Sequence, residues 1–293
     1  MLKATLKSVV LSVVALSTFT VQAAYLDEAQ QKQINTLKQT ALSSDLAYQI
    51  EESLTTEVGA RMIGTEGDKR AIAWAVEKMN SLGFDKVWTE EVGHYQWIRG
   101  DVEAQVLAPF PHDIKAIALG ESVGTGEKGI QAEVVHFKTM ADLEAAKPGS
   151  LTGKIAFVSY RMERFKTGKG YGKAVGARVN GASVAAEKGA IGFIMRSVGT
   201  DNNRLGHTGV TRYKEEVKRI PAVALSNPDA DVMVNIFKRN KPVEFYLKVT
   251  ALRNEIVATK GANVIGEITG SELPEQVVAL GAHLDSWDAP SII

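Results

Sequence analysis

The sequence predicts a fold of the α/β or α+β class, because strand patterns and helix patterns alternate along most of its 293 residues. Short apolar runs such as GKIAFVSYRM and IGFIMRS predict buried strands, and the run NPDADVMVNIFKRN predicts a helix. The composition is 45% hydrophobic and 23% charged, which is ordinary for a globular protein. A formal net charge of zero offers no electrostatic attraction for a nucleic acid, so none is expected as a partner.

The N-terminal part of the mature chain is predicted to be helical. Residues 25–57 are rich in Gln, Leu, Ala and Lys, and Ser44 or Asp45 is expected to cap a second helix. A third helix is predicted after Thr65, which forms a capping-box pattern with Asp68. Gly83 is a suitable stop for that helix, and the run DKVWTEEV then predicts a strand.

The helix that begins after Thr65 is expected to bury one face. Ile72, Val76 and Met79 recur at the spacing of a single helical face, so these three side chains are predicted to face the interior.

Further elements are predicted from the same patterns. Strands are predicted at seven more runs: VEAQVLAP, IKAIALGES, GIQAEVVHF, IPAVALS, KPVEFYLKVTALR, GANVIGEITG and EQVVALGAHLD. Helices are predicted at two more runs: TMADLEAAKPG and YGKAVGARVNGASVAAEKGA.

The first residues have the pattern of a secretory signal peptide. Lys3 and Lys7 supply positive charge, and the apolar stretch from Val9 to Val21 is short for a membrane span. Ala23 ends a small-x-small cleavage pattern, with Ala24 as an alternative end. An uncleaved N-terminal anchor is the alternative. The chain has no cysteine, so neither lipid attachment nor a disulfide is available. We expect a periplasmic or secreted protein without membrane contact after cleavage.

Two glycine-rich runs resemble nucleotide-binding motifs at first sight. GTGEKG at 124–129 matches G-x-G-x-x-G, but a strand pattern comes next, where a dinucleotide site requires a helix. TGKGYGKA at 167–174 lacks the spacing of a phosphate-binding loop. Both runs are therefore predicted to be loops, and no nucleotide cofactor is expected.

Four of the five histidines are scattered. His94, His112 and His136 have no second ligand at metal-binding spacing, and His136 is expected to be a packed or an edge residue of a strand. His207 lies in a polar loop, where it either contacts a ligand or is simply solvated.

His283 differs from the others in its context. It comes directly after the apolar run VVALGA, and ligands of open α/β sheets bind beyond the carboxyl ends of strands. Asp285 lies two residues on and points the same way in an extended chain, so it can orient the histidine. A histidine that caps a strand and an aspartate that starts a turn remain the structural alternative.

A family resemblance bears on that choice. GAHLDSWD resembles the first metal-binding stretch of the M28 zinc peptidases, and within them it is most similar to the carboxypeptidase Q branch. The run from Gly59 to Thr65 resembles the N-terminal signature of the family, and YQWIRG and GESVGTGEKGIQAEVV resemble segments of the same branch. GKIAFVSYRM through IPAVALSNPDADVM, with RVNGASVAAEKGAIGFIMRS and HTGVTRY, is similar to a protease-associated (PA) domain.

The resemblance implies a mixed-sheet zinc-peptidase core, of the phosphorylase/hydrolase-like type, with an inserted α+β PA domain. The implied parts are a signal peptide at 1–23, peptidase sequence at 24–122, the PA domain at 123–250 and a return to the peptidase domain at 251–293. It further implies two zinc ions, with His283 as a metal ligand and Asp285 as the orienting carboxylate, short peptide substrates and a possible homodimer.

The sequence departs from the family pattern after His283. The family continues with an Asp-Asp pair, a Glu-Glu pair that supplies the general base, a further Asp and a final His, and the chain has no positions for them. We expect an N-terminal fragment with one zinc ligand, inactive alone, in which Val277, Val278 and Leu280 lose part of their cover. The alternatives are a binding or regulatory module that acts through the PA domain, and one half of a split peptidase.

Overall fold

The computed structural model describes residues 26–288, except for the side chains of 255–259. The predicted signal peptide lies outside the described residues. The chain divides into two compact units, with the boundary between Ile50 and Glu51. In the described part of the chain, no helix is long and apolar enough to cross a membrane.

The first unit is helical, as predicted, and its second helix continues past the boundary to Ser53. Helix α1 spans Glu28–Ser43 and begins with a capping box between Asp27 and Gln30. Helix α2 spans Leu46–Ser53, and the Leu46 N–H donates to the Ser44 hydroxyl at 3.2 Å. Ser44, the first of the two predicted caps, therefore supplies the contact at the start of α2.

The second unit opens with the predicted helix and strand. A short π-helical turn at Leu54–Val58 precedes helix α3, which spans Glu66–Ser81. The Thr65 hydroxyl accepts a hydrogen bond from the Asp68 N–H at 3.3 Å and caps α3. Strand β1 then spans Lys86–Ile98. The hydrophobic positions of α3 that are fully buried carry small side chains, those of Ala71 and Ala75.

The predicted apolar face of α3 is therefore displaced by one position. Ile72, Val76 and Met79 are half-buried and flank the alanines, which allow the helix to approach its neighbours closely.

An eight-stranded mixed sheet forms the centre of the second unit, which confirms the α/β class. Its order is β3-β2-β9-β5-β6-β7-β8-β4, with β5 to β8 parallel and β2, β9 and β4 antiparallel to their neighbours. The bounds are β2 Val102–Ala108, β3 His112–Asp113, β4 Ala116–Ala118, β5 Ile130–Phe137, β6 Ile155–Val158, β7 Gly192–Arg196, β8 Ala222–Leu225 and β9 Glu244–Val249. Three helices accompany these strands: α4 Met140–Glu144, α5 Gly170–Glu187 and α6 Asn227–Phe237.

Two hydrophobic cores cover the two faces of this sheet. Successive residues of β6 alternate between them, so that Ile155 and Phe157 join the core under α6, whereas Ala156 and Val158 join the core under α5. The strand is buried along its whole length, as its continuous apolar run predicts.

Strand β10, Leu252–Glu267, pairs with β1 in a long antiparallel ribbon beside the larger sheet. The run KPVEFYLKVTALR, predicted as one strand, is divided between β9 and β10. At this division the Thr250 hydroxyl accepts a hydrogen bond from the Asp101 N–H at 2.7 Å, and the chain changes from one sheet to the other.

The strand predicted at EQVVALGAHLD is wrong for this structure. Residues 277–287 carry no regular secondary structure, and Val277, Val278 and Leu280 are 84%, 90% and 97% exposed. A strand requires a partner for its backbone groups and cover for its apolar side chains, and the described residues supply neither here. The exposure expected for these three side chains is observed.

The two glycine-rich runs differ in the elements to which they lead. GTGEKG is a loop that runs into strand β5, so it lacks the helix that a dinucleotide site requires. TGKGYGKA is only half a loop, because α5 begins at Gly170.

His136 is packed as predicted. Its ring packs against those of Phe157 and Phe237, at centroid distances of 5.4 and 4.8 Å.

Two glycines of α5 provide a matched test of the packing between this helix and β7. A Cβ added to Gly181 would lie 2.2 Å from Cζ of the fully buried Phe193, whereas a Cβ added to Gly176 would meet nothing within 4 Å. We expect Gly181→Ala to destabilise the fold by about 1–3 kcal/mol through overpacking. Gly176→Ala should stabilise it by about 0.5–1 kcal/mol through helix propensity. Urea unfolding of the two variants measures both, and a gain in stability for Gly181→Ala would contradict the close contact.

Candidate functional site

The predicted pair of His283 and Asp285 lies together in the structure. Nδ1 of His283 is 2.8 Å from Oδ1 of Asp285, and the two side chains are 91% and 45% exposed. A carboxylate at this distance accepts the Nδ1 proton and leaves the lone pair on Nε2. The imidazole thus presents a metal-ligating or proton-accepting nitrogen to solvent, although the stretch that carries it is not a strand.

Arg61, in the loop that precedes α3, forms hydrogen bonds with this stretch. Its Nε donates to the Leu284 carbonyl at 2.7 Å, and its backbone N–H donates to the Ser286 hydroxyl at 3.3 Å. The Ser286 N–H donates in return to the Arg61 carbonyl at 3.3 Å. These three bonds lie on both sides of Asp285, so the backbone around the pair is fixed although its side chains are exposed.

Arg99 lies one residue beyond the end of β1. It binds the same stretch at Asp288, three residues after Asp285. Its side chain is 7% exposed, its Nη2 lies 2.5 Å from Oδ1 of Asp288, and its Nη1 donates to the Ala118 carbonyl at 2.5 Å. The guanidinium also lies over the rings of Trp97 and Trp287, at 4.9 and 5.5 Å from their centroids.

Burial lowers the pKa of Arg99, and the hydrogen bond and charge of Asp288 oppose that shift. A guanidinium stays protonated in proteins. Arg99 and Asp288 therefore form a buried ion pair that holds the stretch after β10. We call Arg61 and Arg99 the two clamp arginines.

Trp287 also lies against the backbone of Gly120. A Cβ added to Gly120 would lie 3.0 Å from two ring carbons of Trp287, so the indole sits directly on this glycine. The ring therefore contacts both the Gly120 backbone and the guanidinium of Arg99.

A cavity of about 520 Å³ lies beside the histidine pair. His283, Asp285 and Trp287 line it from the stretch after β10, and Glu121 and His94 line it from the elements opposite. Glu121 adopts a φ of +70°, which is rare for a residue with a side chain, and its carboxylate forms an ion pair with Arg253. The cavity thus combines apolar walls with two imidazoles and carboxylates, which is the usual character of a small-molecule site.

The residues of the site do not suffice to hold zinc. A zinc site requires three or four protein ligands, and the described residues contain no group of three or more His, Cys, Asp or Glu side chains that could hold a metal. His283 offers one nitrogen, and Asp285 is engaged with the other nitrogen of the same ring.

Comparison with known proteins shows which class of protein carries this fold. No protein-family profile matches the chain. Human carboxypeptidase Q is 34% identical over 235 residues, which are 80% of this chain and 48% of that protein. The crystal structure of a peptidase M28 precursor from Shewanella amazonensis is 48% identical, has a TM-score of 0.84, and matches 88% of this chain and 58% of its own.

A zinc aminopeptidase from Bacillus subtilis shares the fold at 21% identity, with a TM-score of 0.50 over 77% of this chain and 47% of its own.

These likenesses confirm the resemblance predicted from the sequence: the chain belongs to the M28 peptidases, a family of hydrolases. Within that family it is a relative of carboxypeptidase Q. The chain spans about half the length of the curated relatives that it matches.

Sequence reasoning missed the residues that hold the site. The two clamp arginines lie in the runs GARMIGT and YQWIRG, which carry the family resemblance but received no role. An arginine beside a tryptophan is a signal for a stacked, buried guanidinium. Glu121 left no comparable signal, because its φ is visible only in the structure.

The Arg99 clamp can be tested through the exchange of nearby amide protons. Asp288→Asn removes the charge that compensates a buried guanidinium, at a cost of about 1–3 kcal/mol. We expect the amide of Ser286, which donates to Arg61, to exchange about 5- to 150-fold faster in hydrogen–deuterium exchange. Glu103→Gln is the control, because it breaks an exposed pair with Lys248 and should leave this amide unchanged. Equal exchange in both variants would contradict the clamp.

Proposed function

We propose that this chain is the N-terminal part of an exported, zinc-dependent M28-type peptidase that hydrolyses short peptides. The observation that carries the proposal is the His283–Asp285 pair, held beside a cavity by the two clamp arginines in a chain related to carboxypeptidase Q. Export is proposed on the signal-peptide pattern of residues 1–23, and it leads to the periplasm or the exterior.

In this proposal His283 is one zinc ligand and Asp285 orients it. A carboxylate on the second nitrogen of a metal-ligating histidine fixes the ring and strengthens the ligand. Zinc, when bound in such an enzyme, lowers the pKa of a water molecule and polarises the scissile carbonyl. Because the described residues provide one ligand where at least three are needed, we propose that this chain alone is inactive.

We further propose the domain organisation given by the family resemblance, with a PA domain inserted at 123–250. Support comes from the ribbon of β1 and β10. In chain order β1 precedes the strands of the larger sheet and β10 follows them, so the larger sheet is inserted between two paired strands. The larger sheet begins earlier than residue 123, with β2 at Val102, so the proposed insertion shares its sheet with strands that precede it.

A split peptidase is the second candidate, and one observation favours it. The side chains of Val277, Val278 and Leu280 are almost fully exposed, and a strand from a second polypeptide would cover them. A binding module that acts through the PA domain is the third hypothesis. Ligand binding in the second unit would not require a complete metal centre.

The proposed inactivity of the isolated chain can be measured directly. We expect residues 24–293, purified with zinc, to release no amino acid from dipeptides or amino-acid amides above the background of the His283→Ala variant. The physical reason is the missing ligand set. Zinc-dependent turnover that His283→Ala abolishes would contradict the proposal.

The proposed place in a longer protein can be measured from the native product. An antibody against residues 168–197 should isolate a polypeptide whose intact mass is well above that of the 293-residue chain. A mass that fits the chain cleaved after Ala23 would contradict a longer product, and adding back a partner polypeptide would then test the split peptidase.

A further inference from the structure

A group of oxygen atoms lies beyond the carboxyl ends of two neighbouring parallel strands. Strand β7 leads into the loop that carries Gly199 and Asp201, and β8 leads into Asn227 at the start of α6. Because β7 and β8 are parallel, both segments leave the sheet at the same edge, where ligands of such sheets bind. We call the oxygen atoms of Gly199, Asp201 and Asn227 the oxygen pocket.

The amide of Asn227 is fully buried, and its hydrogen bonds are incomplete. Nδ2 lies 3.4 Å from the carbonyl oxygens of both Gly199 and Asp201, which is longer than an ordinary N–H···O bond. Oδ1 is buried as well, and among residues 26–288 no donor reaches it. Buried polar atoms in folded proteins normally have partners, so this amide indicates a place for a group that the chain does not supply.

Asp201 contributes a carboxylate to the same pocket. Its Oδ2 lies 2.8 Å from Nε2 of His207, and the carboxylate folds back over Gly199, where an added Cβ would lie 2.8 Å from Oδ2. Its Oδ1 is buried, and no donor in the described part of the chain contacts it. The pocket therefore contains two unsatisfied side-chain oxygens beside two main-chain carbonyls.

Two guanidinium groups lie near this edge of the sheet, and each is paired with a carboxylate of α6. Nη2 of Arg196 lies 2.9 Å from Oδ1 of Asp231, and Nη2 of Arg204 lies 2.8 Å from Oδ1 of Asp229. Neither guanidinium forms an ion pair with Asp201 within the residues that the structure describes. The negative charge of Asp201 is thus left for a cation.

The chemistry of the pocket is that of a calcium site, because calcium accepts carboxylate, amide and main-chain carbonyl oxygens. Calcium ligands that lie at right angles around the ion are about 3.3–3.7 Å apart, and the two 3.4 Å contacts of the Asn227 amide have this spacing. A half-turn of the amide exchanges its oxygen and nitrogen, which are nearly equal in size, and brings Oδ1 towards both carbonyls.

We propose that the oxygen pocket binds one calcium ion. Its ligands are the main-chain carbonyls of Gly199 and Asp201, the Asp201 carboxylate and the Asn227 amide oxygen, and water completes the shell. The bound ion joins the loop after β7 to the start of α6. The proposal is independent of the proposed function, because the pocket shares no residue with the His283–Asp285 pair.

Calcium titration of the chain tests the site directly. Isothermal titration into residues 24–293, freed of metal with a chelator, should show one site with a Kd of about 0.1–1 mM, since a single carboxylate binds calcium weakly. No saturable binding up to about 10 mM would overturn the proposal. Magnesium requires a tighter octahedral shell and should bind at least about tenfold more weakly, so equal affinity for magnesium or sodium also overturns it.

Two nearly isosteric variants should change the affinity in opposite directions. Asp201→Asn removes the charged ligand and should weaken calcium binding by about tenfold or more, whereas Asn227→Asp adds a second carboxylate and should strengthen it by about tenfold. Asp101→Asn is the control, because Asp101 is exposed and lies outside the pocket. Calcium affinity that both pocket variants leave unchanged would reveal an adventitious ion only, which overturns the site. If Asp201→Asn fails to fold, the gain expected from Asn227→Asp decides.

A last comparison separates this site from the peptidase proposal. Calcium should slow hydrogen–deuterium exchange at the His207 amide, which donates to the Ser197 hydroxyl at 2.8 Å at the end of the same loop. His283→Ala should leave calcium affinity and this protection unchanged. Calcium binding in a chain without peptidase activity supports the pocket even if the peptidase proposal fails, whereas calcium binding lost in His283→Ala overturns the pocket.

Discussion

The buried guanidinium of Arg99 is the contact on which the arrangement of the site depends. It joins the end of β1, the Ala118 carbonyl and Asp288, and it supports the ring of Trp287. The stretch after β10 has no regular structure of its own, so these contacts and those of Arg61 determine where His283 lies. Burying a charge without a partner costs free energy. The folded chain therefore favours the one arrangement that places Asp288 beside Arg99.

Local patterns were sufficient for most of the fold. The cap at Thr65, the strand that becomes β1 and the buried run of β6 depend on neighbouring residues, and such signals are written in short stretches of sequence. The strand predicted around Val278 failed for the converse reason. An apolar run specifies a buried strand only where other strands cover it, and that condition is not contained in the run itself.

The candidate site was predictable only in part. His283 and Asp285 are two residues apart, so an extended chain brings them together, and their spacing was a direct signal. Arg99 and Asp288 are 189 residues apart, and Arg61 and Leu284 are 223 residues apart. Contacts over such distances result from the arrangement of the sheets, and no single-sequence pattern encodes them. Trp287 is brought into the site in the same way, because its ring lies against Gly120 and Arg99.

The crossing between the ribbon and the larger sheet has a consequence for how such a molecule is assembled. The Thr250 N–H donates to the Asp101 carbonyl at 3.0 Å, so the chain enters and leaves the eight-stranded sheet at nearly the same point. When the two ends of a segment already touch, exchanging that segment for another costs little loop-closure entropy. Residues 102–249 therefore have the topology of an insert between the paired strands β1 and β10, and any segment exchanged for it would also have to supply the carbonyl that Ala118 offers to Arg99.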